Sequence, residues 1–123
     1  MVARPVVHGP STTIGQLRAF FADEHVHMAL LADGGKLLGT VERADLARAS
    51  SDETLAREVA KLAGRTIGPD VPMQEALAAM RRTGRRRFAV TSDTALLGLL
   101  CLKASGDGFC SDEDVDARGE QPL

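Results

Sequence analysis

Apolar positions in this chain alternate between two spacings. Ile14, Leu17, Phe20 and Phe21 recur at i, i+3, i+6 and i+7, the stripe of a helix that buries one face. Ser11, Thr12 or Thr13 can cap that helix, because a short side-chain oxygen there accepts an N–H of the first turn. Before it, Val6-Val7-His8 is a short strand ended by Gly9-Pro10. After it, the continuous apolar run Met28-Ala29-Leu30-Leu31 reads as a buried strand. Asp33-Gly34-Gly35-Lys36 is a hairpin turn, with glycines free to take positive φ, and Leu37 to Val41 is the returning strand. Glu42 to Ala49 follows as a short helix. Ser50-Ser51-Asp52 breaks it, and Leu55, Val59 and Leu62 with Ala56, Ala60 and Ala63 predict a further helix from about Glu53 to Leu62. Gly64 suits the C′ position of that helix.

The same order then starts again. Thr66-Ile67 is a strand stopped by Gly68-Pro69, and Met73, Ala76, Leu77 and Met80 mark a helix stopped by Gly84. Phe88-Ala89-Val90, the turn Ser92-Asp93-Thr94-Ala95 and Leu96 to Leu102 repeat the hairpin. Gly9-Pro10 against Gly68-Pro69, Ile14 against Met73, and Gly39 against Gly98 all stand 59 residues apart. One extra residue before the second copy's strand and one fewer in its hairpin are expected to cancel. Self-similarity at this period means two copies of one supersecondary unit. The fold class expected is α+β: two tandem β-α-β-β-α repeats, 4–63 with a linker helix and 64–104, packed through their sheets with pseudo-twofold symmetry. Residues 105–123 are Gly-, Asp- and Glu-rich and read as an acidic flexible tail.

Composition narrows the function classes. Aromatic residues are 3% of the chain, without Trp or Tyr, so the core must be aliphatic. A formal net charge of -2 gives no basic field of the kind that coats nucleic acid. Arg81, Arg82 and Arg85 read as a solvated cluster at a helix C-terminus, where the helix dipole favours cations. No apolar run approaches the ~20 residues of a membrane helix, and Met1 to Pro5 lacks the apolar core of a signal peptide. The cytoplasm is therefore the expected location. Cys101, in an apolar strand, and Cys110, in the polar tail, are expected as free thiols. His8, His25 and His27 show no metal-ligand spacing, and no nucleophile and base stand at a suggestive distance, so neither a metal nor an enzymatic activity is expected.

The stretch Gly39-Thr40-Val41-Glu42-Arg43-Ala44-Asp45 carries the most specific signal. With the repeat and the matched hairpins, it resembles a tandem pair of CBS domains, often called a Bateman module, over roughly Arg4 to Ala104. The family pattern there is Gly, apolar, x, Ser/Thr, x, x, Asp. The resemblance implies an adenosyl ligand (AMP, ADP, ATP or S-adenosylmethionine) in a cleft between the repeats, with Asp45 on the ribose. A carboxylate has two acceptor oxygens and a vicinal diol two donors, which suits that role. Thr40 and Glu42 belong to the same motif, although Glu42 stands in the Ser/Thr slot and would repel phosphate. Basic residues before the second strand and after the third meet phosphate in such families. Here those places hold Arg86, Arg87 and Lys103, with His27 at the matching place of the first repeat. In the second repeat the two polar slots are Cys101 and Ala104, so at most one good nucleotide site is expected.

The function implied is a regulatory ligand-sensing module that passes occupancy to a protein effector or to a second copy in a homodimer. The alternative is a degenerate pair that serves as a dimerisation or interaction module with no nucleotide. Nucleic acid and membrane are not expected partners.

Overall fold

A computed structural model describes residues 1–103 and 109–111. The expected tail therefore lies largely outside the described residues, at 105–108 and 112–123. The chain forms two compact units, one of residues 6–63 and one that joins residues 1–5 to those from Gly64 onward. Both are mixed α+β.

In the first unit, β1 (Val7–His8) runs parallel to β2 (Ala29–Asp33) after a crossover through α1 (Ile14–Phe20), and β2 turns back into β3 (Lys36–Val41). Thr13 is the cap residue of α1. Its hydroxyl accepts the Gln16 N–H at 3.2 Å, and the Gln16 side chain accepts the Thr13 N–H at 2.9 Å, a reciprocal capping box. Gly34 and Gly35 both have positive φ, which lets the hairpin close with the twist of its strands. Ile14, Leu17, Met28, Leu30, Leu31 and Val41 form the core with one aromatic side chain, Phe21. The helix after β3, α2 (Arg43–Leu46), is shorter than expected.

In the second unit, β4 (Thr66–Ile67), α3 (Met73–Thr83), β5 (Arg87–Ser92) and β6 (Ala95–Cys101) repeat this path. The register repeats as well. Leu31 faces Gly39 and Ala32 faces Leu37 across an irregularity, as Val90 faces Gly98 and Thr91 faces Leu96. The offset of 59 therefore runs through both hairpins with no residue gained or lost, unlike the compensating insertion and deletion that the sequence suggested.

A second correction concerns the segment before Gly64. The helix expected over Glu53 to Leu62 is only a short 3-10 turn at Ala56–Glu58. The reason is competition for backbone groups. The Thr54 carbonyl accepts the Ile14 N–H at 2.9 Å, and the Ala56 N–H donates to Thr12 at 2.8 Å. Lys61 and Thr40 exchange two backbone hydrogen bonds of 2.8 and 2.9 Å. Groups spent on the start of α1 and on β3 cannot close a helical ladder.

The edge of β6 is met in the same way by the N-terminal arm, where Val2 and Leu99 exchange two bonds of 2.8 Å. Lys61 and Val2 are equivalent residues of the two repeats. The glycines Gly39 and Gly98 make both crossings feasible. A Cβ at Gly39 would lie 2.8 Å from Ala60 Cβ, and one at Gly98 would lie 2.6 Å from the Val2 carbonyl.

Finally, Phe109 to Ser111 are not a polar tail. Phe109 bridges to Leu102, and Cys110 is 2% exposed with its N–H on the Cys101 carbonyl at 2.7 Å.

Candidate functional site

The turn from β3 into α2 places one carboxylate inside the protein. Asp45 is 2% exposed, the lowest exposure of any acidic side chain among the described residues. Its Oδ2 accepts the Glu42 backbone N–H at 2.8 Å, which fixes the start of α2. Its Oδ1 accepts from Arg48 Nη2 at 2.7 Å, one helical turn on, and lies 3.7 Å from Lys61 Nζ. Both cations keep about half of their side-chain surface in solvent (49% and 46%). A buried carboxylate thus meets the surface through two cations. A charge so far out of water needs these partners, because desolvation alone would make it costly.

The other motif residues serve this turn. Thr40 is wholly buried, and its hydroxyl donates to the Lys61 carbonyl at 3.3 Å, which helps hold the linker on β3. Glu42 is half-buried at the cap position of α2. Arg43 spans from α2 to the end of α1. Its guanidinium donates to the carbonyls of Phe21 (2.8 Å), Asp23 (3.0 Å) and Val26 (3.0 Å) and lies 5.2 Å from the Phe21 ring centroid. His27 is exposed just before β2. Asp23 and His25 hold the loop between, and the His25 backbone N–H keeps the Asp23 carboxyl below its ordinary value.

In the second unit the basic residues take other partners. Arg86 is exposed, and its Nη2 donates to the Leu102 carbonyl at 3.0 Å. Arg87 is half-buried on β5, directly opposite Cys101. Burial pulls its guanidinium below the ordinary value, and its Nε finds no hydrogen-bond partner among the described residues. Lys103 is half-buried just after β6. Ala104, which stands where the first repeat has Asp45, lies outside the described residues.

The structure thus brings together Asp45, Glu42 and Thr40 in one unit, and Arg86 and Arg87 near the end of β6 in the other. It adds Arg48, Lys61 and Arg43, which the sequence reading passed over. Arg48 had a local signal, since it stands i+3 from Asp45 on the helix expected over Glu42 to Ala49. Lys61 had none, because its approach depends on the linker pairing with β3. Among the described residues no group of three or more His, Cys, Asp or Glu could hold a metal ion, and no helix is long and apolar enough to cross a membrane.

An apolar cavity of about 220 Å³ also opens in the second unit, lined by Met1, Ile67, Val71, Ala76, Val90 and Leu100. Ala76 is the equivalent of Leu17, which fills the corresponding place in the first unit.

Comparison with known proteins agrees with this architecture. Residues 56–104 match the family model described as CBS domain. No curated protein matches the sequence. Among solved structures, a candidate acetoin utilization protein (AcuB) from Vibrio cholerae is similar at 20% identity and TM-score 0.69, over 97% of this chain and 85% of that one. A CBS domain protein from Pyrobaculum aerophilum complexed with AMP is similar at 21% identity and TM-score 0.68, over 86% and 90% of the two chains. The cytosolic domain of the Mg2+ channel MgtE in complex with ATP is similar at 17% identity and TM-score 0.65, over 80% of this chain and 42% of that one. The match over residues 56–104 and these likenesses agree, and the chain has the fold of a tandem CBS pair.

Proposed function

We propose that this CBS pair is a regulatory sensor whose first repeat holds an adenosyl ligand, with Asp45 accepting from the ribose hydroxyls. The observation that carries the reading is the Asp45 group itself: a buried carboxylate with Arg48 and Lys61, each about half exposed, beside it. A nucleotide offers a diol for the acceptor and phosphate for the cations, so its two polar ends match one cluster. The complexes of similar folds with AMP and with ATP support the ligand class. Arg86, Arg87 and Lys103 are phosphate candidates on the family likeness alone. Thr40 and Glu42 shape the turn that presents Asp45. Occupancy is then passed to a partner, either a second copy in a homodimer or an effector protein, through the geometry that ligand binding favours.

Ligand and internal cation compete here. Arg48 already occupies Oδ1 and the Glu42 N–H occupies Oδ2. Each oxygen keeps a second lone pair, but Asp45 is buried, so the ribose reaches it as Arg48 moves aside, and that guanidinium can then turn to phosphate. The same observation favours a second reading, in which the ion pair is permanent and the protein is an interaction module without nucleotide.

Thermal melts with AMP, ADP, ATP, S-adenosylmethionine and GTP separate the two. Ligand at 100 times its Kd stabilises by about 2.7 kcal/mol, a rise of several degrees. An adenine-specific rise is expected in the wild type and in Arg48→Gln but not in Asp45→Asn, each read against its own unliganded melt. No rise with any of these ligands would shift the function to the interaction module.

A further inference from the structure

The second repeat holds a pair of reactive groups for which the ligand reading has no use. Cys101 ends β6, and Cys110 lies on the stretch that returns to it. The Leu102–Phe109 bridge sets the two stretches antiparallel, and the Cys110 N–H donates to the Cys101 carbonyl at 2.7 Å. That pairing puts both thiols on one side, with their Sγ atoms 3.5 Å apart, both reduced and both buried. A hydrogen-bonded antiparallel pair separates its Cα atoms by about 5.5 Å. A disulfide spans Cα distances of roughly 4.4–6.8 Å, so the backbone already has the reach that a bond would need. Nothing in the sequence spacing requires this approach.

We propose that Cys101 and Cys110 form a reversible disulfide site that exchanges with a low-molecular-weight disulfide such as glutathione disulfide. The Cys110 thiol gives its proton to solvent, and its sulfur attacks the glutathione disulfide. One S–S bond breaks, a mixed disulfide forms on Cys110, and the first glutathione leaves as thiolate. The Cys101 thiol then loses its proton, attacks the Cys110 sulfur and expels the second glutathione. In sum, two protein thiols lose two electrons and two protons, and one glutathione disulfide becomes two glutathione molecules.

The environment orders these steps. Burial pushes the Cys101 thiol up to about 11, so little thiolate is present near neutral pH and Cys101 is the poorer first nucleophile. The Arg87 guanidinium opposite works the other way and favours the Cys101 thiolate once exchange has begun. Because both sulfurs are covered, the Phe109–Ser111 stretch must lift before the first step, which makes the exchange slow and tied to local opening.

The bond would have a structural effect beyond the two sulfurs. Phe109 forms one wall of a second apolar cavity, about 420 Å³, with Met1, Val71, Met73, Ala76 and Leu100. In the reduced protein, short backbone pairing holds that wall. In the oxidised protein, a covalent tether holds it.

The test incubates the full chain, folded, in graded ratios of glutathione disulfide to glutathione, followed by intact mass and non-reducing peptide mapping. The expected product is a monomer lighter by two hydrogens, carrying a Cys101–Cys110 linked peptide and reversed by dithiothreitol. Cys101→Ser should stop at a single glutathione adduct on Cys110, and Cys110→Ser should gain its adduct on Cys101 far more slowly, without any internal link. The oxidised wild type should melt several degrees above the reduced form, because ring closure constrains the unfolded chain, while the serine variants show no such rise. Glutathione adducts on the wild type without the internal link, a bond between two chains, or unreacted thiols after prolonged incubation would each overturn the proposal.

Discussion

The two repeats have the same hairpin register and end it with opposite chemistry. Where β3 of the first repeat turns into α2 through Glu42 and Asp45, β6 of the second ends at Cys101 and continues toward Ala104. The first ending buries a carboxylate among cations, and the second buries two thiols beside a half-desolvated arginine. Their helices differ in the same sense. Ile14 and Leu17 are wholly buried in the first repeat, while Met73 is 63% exposed and Ala76 borders open cavities in the second. Met28, wholly buried, has Arg87 as its counterpart. One backbone plan thus supports a filled core that anchors a polar turn and a looser core with apolar space. The plan is set by strand register, and the contents are set by single side chains.

The largest test of that contrast exchanges the two helix residues. Leu17→Ala gives the first repeat the second's residue and should cost about 2–5 kcal/mol in urea unfolding. Ala76→Leu should gain about 0.5–2 kcal/mol by filling the cavity. If Ala76→Leu destabilises, the cavity does not arise from the missing leucine side chain.

A smaller effect separates the two glycines. Gly39→Ala drives a methyl against Ala60 and Lys61 of a linker tethered at both ends, at an expected cost of about 1–3 kcal/mol. Gly98→Ala pushes on the N-terminal arm, which meets β6 through the Val2–Leu99 bridge and can detach there. It should cost less and instead abolish hydrogen-exchange protection at Val2 and Leu99, whose N–H groups depend on that pairing. Equal costs would mean that the arm is held as firmly as the linker.

The smallest effects are in pH dependence, and they have opposite signs. Burial keeps His8 below its ordinary value of 6.5, packed edge-on to Phe20. Its folded form resists protonation, so its stability contribution is present above about pH 6.5 and lost as pH falls toward the folded value. His8→Gln should remove that part of the acid loss. Cys101 is raised from 9.0 to about 11, so its contribution is present below pH 9 and lost as pH rises toward 11. Cys101→Ala should flatten the alkaline limb of Tm against pH. The first repeat then softens in acid and the second in alkali.

Much of this architecture was legible in residue order. The cap at Thr13, the Gly34-Gly35 turn, the buried run ending at Leu31 and the 59-residue return all rest on local chemistry: a side-chain oxygen for an N–H, positive φ, and periodic apolar burial. Those same local rules predicted a helix over 53–62, and there they failed. Backbone groups at Thr54 and Ala56 bond to the start of α1, and those of Lys61 bond to β3, all far away in sequence, and helical propensity is too weak to hold against these bonds.

The site divides along the same line. The family resemblance of the motif singles out Asp45 and, in the Ser/Thr slot, Glu42. Of the two cations beside Asp45, Arg48 is a local neighbour three residues on, whereas Lys61 arrives only with the linker on β3. Cys110 looked like part of a solvated tail, and it became the neighbour of Cys101 through one backbone bridge. Local sequence sets which conformations each segment favours, because those preferences involve residues within one turn of each other. Which carboxylate is neutralised, which thiols meet and which space stays empty depend on segments well beyond one helical turn apart, and only the folded chain brings those within bonding distance.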